Sequence, residues 1–193
     1  MLDAQIVAPR DRAAWRAWLA QHHTRPSGVW LLIKKKGSTA PGISYEDAAE
    51  EALCFGWIDG KANRYDDDHY RLWLSPRKPK SMWSAVNKER VAELTRRGLI
   101  EPPGRAVIEL AKANGSWDAL NASDALEVPD DLADALDALP PARKHWNAFP
   151  PSTRKQILAW IGSAKRPETR AKRVAQTAEL AASNIRANQP RPS

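Results

Sequence analysis

Cysteine is almost absent from this 193-residue chain: Cys54 stands alone, so no internal disulfide can form. That usage fits a reducing compartment, and a cytoplasmic location is expected. Methionine and phenylalanine are scarce, at two each. No apolar run approaches the roughly 18 residues of a membrane span, so no membrane insertion is expected. The opening MLDAQIVAPRDRAAW lacks a basic segment followed by an apolar one, so no secretory signal is expected either. Phosphate-cradling glycine loops, nucleophile elbows and paired-histidine metal motifs are all missing. The four histidines are scattered, and the adjacent His22 and His23 would point about 100° apart on a helix. Asp66-Asp67-Asp68-His69 lacks the spaced acids, glycine and terminal glutamate of a calcium loop. No metal and no cofactor are expected.

Tryptophan and positive charge are plentiful. Nine tryptophans supply large apolar areas to a chain whose hydrophobic share is only 42%. The net charge of +7 is uneven: residues 1–60 sum to zero, 61–100 to +5, 101–140 to −7 and 141–193 to +9. An acidic segment beside a basic one can neutralise it within the fold.

The spacing of apolar residues predicts the elements. A helix begins at Asp11, carries Trp15, Trp18 and Leu19, and stops at Pro26-Ser27-Gly28. Val29 to Ile33 reads as a strand. Ser44 caps a helix whose buried stripe is Ala48, Ala49, Ala52 and Leu53, with Gly56 at the left-handed position beyond its end. Cys54 falls in its last turn, where a bland buried thiol is expected. Trp57–Arg64 and Tyr70–Ser75 read as a hairpin, with a bulge or turn at Asp59-Gly60. Helices follow from Ser84 and from Gly104 to Asn114, the latter with Val107, Ile108 and Ala111 inward. The acidic stretch holds a short helix with Leu132, Leu136 and Leu139, and Pro140-Pro141 reads as a joint. Beyond it lie a helix with Ile157, Leu158, Trp160 and Ile161, then one with Val174, Ala178, Ala181 and Ile185 at helical spacing. Residues 186–193 are expected to fray.

The expected fold class is α+β: a small, mainly antiparallel sheet of 29–34, 57–64 and 70–75 packed by helices, followed by a helical C-terminal module. The expected boundary separates 1–122 from 123–193.

Two recognition surfaces suggest themselves. Trp57, Asp59, Arg64, Trp73, Arg77 and Trp83 gather around the hairpin and the next helix start. Apolar walls with a few fixed polar groups suit a small-molecule or peptide pocket, where Asp59 holds a cation and Arg64 or Arg77 a carboxylate or phosphate. The bland alternative is that these tryptophans are core and Asp59 pairs internally. Separately, Lys165, Arg166, Arg170 and Arg173 lie at the start of the last helix, the three arginines on one face that could track nucleic-acid phosphates. Cations are electrostatically misplaced at a helix N-terminus, so an acidic partner is expected there: Glu168, the 118–137 segment, an external anion or an acidic protein. An enzyme whose active site is not visible in sequence is the remaining alternative.

SYEDAAEEALCFGWIDG (44–60), SPRKPKSMWSAVNKERVAELTRRG (75–98) and FPPSTRKQILAWIGSAKRPETRAKRV (149–174) resemble the YdeI/OmpD-associated family of bacterial proteins. The resemblance implies a helical C-terminal domain and, through the family's bacteriocin-protection label, a protective or stress role. It carries no reaction and no site residues, so non-enzymatic recognition of an unidentified ligand or partner is the expectation.

Overall fold

In the computed structural model, residues 5–189 are described, and the chain divides into two compact units between Asp118 and Ala119. The sequence expectation placed that division at 122/123. The fold is α+β, with helices filling its C-terminal part.

The first unit is built on a four-stranded mixed sheet in the order β1-β2-β4-β3. Strand β1 (Ile6–Val7) pairs parallel with β2 (Val29–Lys34), and β4 (His69–Pro76) runs antiparallel to both β2 and β3 (Trp57–Arg64). The alternation of β2 puts Val29, Leu31 and Ile33 into the core and Trp30, Leu32 and Lys34 on the other face. Opposite them, Leu72 and Leu74 of β4 are buried too. The hairpin register slips between Asp59 and Ala62, which puts a bulge where the sequence carries Asp-Gly.

Helices cover the inward face. In α1 (Arg12–His22), Asp11 accepts from the Ala14 amide at 2.8 Å and closes the first turn. Ser44 does the same for Asp47 at 3.1 Å in α2 (Tyr45–Cys54), and Ser84 for Asn87 at 3.4 Å in α3 (Ala85–Arg96). Gly56, at φ +77°, lets the chain leave α2 and enter β3. Helix α4 (Pro102–Ala113) begins on two prolines, which need no amide partner there. Trp15, Leu19, Trp57, Trp83 and Leu94 complete the first core.

The second unit is entirely helical: α5 (Asn121–Asp124), α6 (Asp130–Asp137), α7 (Pro140–Ala148), α8 (Pro151–Gly162) and α9 (Pro167–Ala182). Its own core joins Leu132, Leu136, Trp146, Phe149, Ile157, Ile161, Val174 and Ala178.

Four expectations need correction. The short strand β1 went unseen, because two residues before a proline have no strand signal until β2 offers them a partner. Pro140-Pro141 is the first turn of α7 rather than a joint outside the helices. Leu139 and Ile185 are 37% and 46% exposed, since each lies beyond its helix end and leaves the apolar stripe. The stretch from 186 to 189 is held down by Ala187, which is buried in the second core, while 190–193 lie outside the described residues.

Candidate functional site

Two charged side chains are buried among the described residues, and they are treated differently by the fold. Glu51 is saturated: Arg12 Nε donates to its Oε1 at 2.6 Å and Arg16 Nη1 to its Oε2 at 2.7 Å. Arg77 is not. It is 6% exposed, and only its Nη1 finds an acceptor, the Met82 carbonyl at 3.3 Å. Its Nε and Nη2 are buried with no partner among the described residues. The guanidinium lies 3.6 Å from the Trp83 ring centroid, in cation–π contact. Burial pulls its pKa down to about 10, against the stabilising charge of Asp59. A desolvated cation with two idle donors is costly, and an incoming acceptor would recover that cost.

The sequence places these groups by simple means. Arg77 follows β4, and its backbone amide donates to Gly56 at 3.0 Å, fixing where its side chain starts. Trp83 precedes the Ser84 cap of α3 and is buried. Asp59 sits at the edge of the bulge in β3 and accepts from the Tyr45 hydroxyl at 3.0 Å. Tyr45 opens α2, with the Arg90 guanidinium of α3 5.5 Å from its ring. Burial and the Asp59 charge raise the Tyr45 phenol above its usual range, so it stays a donor. Tyr70 is raised as well, by burial and then by Tyr45, Glu46 and Asp59. Tyr45, Asp59 and Arg90 thus meet on the side of the sheet that carries the helices, with Tyr70 at the start of β4 and Arg77 just beyond its end.

Of the six residues marked for a pocket, Asp59, Arg77 and Trp83 belong to this cluster. Trp57 is fully buried core, its Nε1 donating to the His23 carbonyl at 3.1 Å. Trp73 lies on the opposite face of the sheet against Trp30. Arg64 is exposed at the hairpin tip, 3.5 Å from Asp67. Sequence reasoning missed Tyr45, Tyr70 and Arg90. Tyr45 had a signal, since a residue just after a cap faces whatever the helix start meets. Arg90 had none.

The basic group at α9 does not form one free face. Arg170 is held bidentately by Asp131, at 2.7 and 2.9 Å, and Arg173 reaches the Trp160 carbonyl and Ser163 Oγ while lying 4.9 Å from the Trp160 ring centroid. Lys165 and Arg166 remain exposed. The acidic partner expected for this helix start is therefore Asp131 of α6.

A groove of about 650 Å³ lies between α1 and the start of α4, lined by small and apolar residues including Ala13, Ala17, Ala20 and Phe55. Its rim ion, Arg16, is already engaged by Glu51, Glu101 and the Leu99 carbonyl. The groove has room, but among the described residues none of its lining side chains carries a buried polar atom without a partner.

Fold and cluster together define a class: an α+β unit with part-buried polar groups on the helix-covered side of its sheet, followed by an all-helical unit. The chain belongs to the family described as "Domain of unknown function (DUF8412)", whose model matches residues 7–107, just over half of the chain. Residues 125–184 match the family model described as "Bacteriocin-protection, YdeI or OmpD-Associated". The resemblance read from the sequence therefore holds for the C-terminal part, while the blocks at 44–60 and 75–98 lie within the first family's span. No curated protein and no solved structure matches the chain. No helix among the described residues is long and apolar enough to cross a membrane.

Proposed function

We propose that the first unit recognises a ligand bearing a carboxylate or phosphate, with Arg77 as its anchor, and that the protein acts by binding in a protective or stress role. The observation that carries this reading is the buried guanidinium with two donors, Nε and Nη2, that are idle among the described residues, in contact with one carbonyl and the ring of Trp83. A carboxylate or phosphate accepts from such a fork through two oxygens at once. Tyr45 and Asp59 stand by to orient a second polar group of the same ligand. The reading requires no proton transfer, and we place its setting in the cytoplasm.

The test is thermal stabilisation by a panel of small carboxylates and phosphate monoesters, on wild type and Arg77→Met. Methionine matches the length of the buried stem and leaves no orphaned donor. The loss of the cation–π contact, about 2 kcal/mol when desolvated, is offset by removal of unpaired buried donors worth about 1–3 kcal/mol. Arg77→Met is expected to unfold within about 1 kcal/mol of wild type and to lose every ligand response. A panel that leaves wild type unmoved, or a variant that keeps the response, would sink the proposal. So would an Arg77→Met protein destabilised by more than about 3 kcal/mol, because Arg77 would then be a structural strut.

A further inference from the structure

The sheet of the first unit has a second face, turned away from the helices, and its composition is unusual. Trp30 of β2 stands directly opposite Trp73 of β4, their ring centroids 5.2 Å apart and inclined at 70°. Both are half-buried and belong to neither hydrophobic core. Ile6, paired with Trp30 from β1, is 42% exposed on the same side. Large aromatics in a small domain ordinarily go inward; here two of them are spent on the outside of the sheet.

The charged groups in contact with their rings are positive. Leu32 pairs with Arg71, and Lys34 with His69, so Arg71 and Lys34 share this face with the tryptophans. Lys61 arrives from the bulge. The Arg71 guanidinium lies 4.8 Å and the Lys61 ammonium 5.5 Å from the Trp30 ring centroid. Arg71 Nε is buried with no partner among the described residues, and Lys34, Lys61 and Arg71 form no ion pair there. The sole carboxylate on β2, β3 or β4, Asp59, points to the helix side, where Tyr45 holds it.

Glycine makes room for the arrangement. A Cβ at Gly28 would come within 2.6 Å of the Trp73 indole, and one at Gly60 would touch its other end at 3.4 Å. One long edge of the indole, from Cδ1 to Cζ2, therefore runs across the backbone from Gly60 to Gly28.

We propose that this face binds single-stranded nucleic acid, with Trp73 and Trp30 stacking on bases and Arg71, Lys61 and Lys34 taking phosphates. Aromatic surface with unpaired cations beside it on an open sheet is what unpaired bases and their backbone require together. A duplex cannot use it, because its bases are already stacked. A neutral ligand has no use for three cations, and a polyanion without bases has no use for the tryptophans. This site is independent of the Arg77 cluster, which lies on the other side of the sheet.

The experiment is fluorescence anisotropy of a short labelled oligothymidylate with the full chain, from low to physiological salt, beside a duplex of equal length and heparin. Wild type is expected to bind the single strand over the duplex. Trp73→Leu is expected to weaken binding at least about tenfold. Arg71→Gln/Lys61→Gln, which removes no core contact, is expected to flatten the log–log salt slope by about 1.4. Lys165→Gln/Arg166→Gln in the second unit is expected to change nothing. The proposal is overturned by no binding at low salt, by equal binding of duplex or heparin, or by binding that both sheet variants retain. Loss through Lys165→Gln/Arg166→Gln alone would overturn it in favour of the helical unit.

Discussion

Cys54 illustrates how much a single residue depends on what the fold brings beside it. Its thiol lies in the last turn of α2, pushed up to about 11 by burial and by the charge of Glu51, with Arg16 opposing. At neutral pH it is therefore protonated and a poor nucleophile. A thiol reagent is expected to leave native protein unmodified and to label Cys54 fully in denaturant. Glu51→Gln removes the negative charge and leaves Arg16 facing the sulfur, so the thiol pKa should fall, as read by thiolate absorbance against pH. The same change strips two arginines of a buried partner and is expected to cost about 3 kcal/mol. A wild-type thiol titrating near the ordinary value of about 8.5 would refute this account.

At the scale of elements, the packing of α4 on the end of α2 hinges on one missing side chain. A Cβ at Gly104 would sit 2.2 Å from the Cys54 carbonyl oxygen and 2.7 Å from its carbon, both rigid backbone. The Glu101 amide donates to that same carbonyl at 3.0 Å, so the two helices cannot slide apart without losing it. Gly104→Ala is expected to destabilise by about 3 kcal/mol. Gly98→Ala is the contrast: nothing lies near its Cβ, and only its φ of +68° is unsuited to alanine. About 1 kcal/mol is expected there. Urea denaturation distinguishes the two, and equal losses would mean that the α2–α4 contact yields more easily than its geometry suggests.

Across the molecule, the uneven charge of the sequence resolves into pairs inside the second unit. Asp131 lies well below the usual carboxylate range because of its hydrogen bonds from Arg170, and Asp137 likewise beside Arg143. A depressed carboxylate pKa contributes stability that is present above the unfolded value of about 4 and fades as pH falls through the folded one. The second unit should therefore weaken on acidification below about pH 4. Arg170→Gln is expected to cost up to about 1 kcal/mol at neutral pH, since the pair is partly exposed. It should cost less in strong acid, where Asp131 is protonated in both proteins. A penalty independent of pH would show that Arg170 contributes through packing instead of charge.

Local chemistry was legible in the sequence because its causes lie within a few residues. Ser44 and Ser84 cap the amides three positions ahead, Gly56 supplies a left-handed exit, and the 2- and 3.6-residue periods assign the inward faces of β2 and α2. The bulge at Asp59-Gly60 announced itself in the same way. What lay beyond that range needed the tertiary structure. Period two separates Trp73 from Leu72 and Leu74, yet it does not say which face of the sheet the helices cover. The α9 arginines share a face by spacing, but Asp131, 39 residues away, decides that Arg170 is paired. Arg77 and Glu51 are both charged and both buried, and no short-range pattern distinguishes them. Whether a buried charge finds its counter-charge is settled by which chains meet in space, and that is where the candidate site was decided.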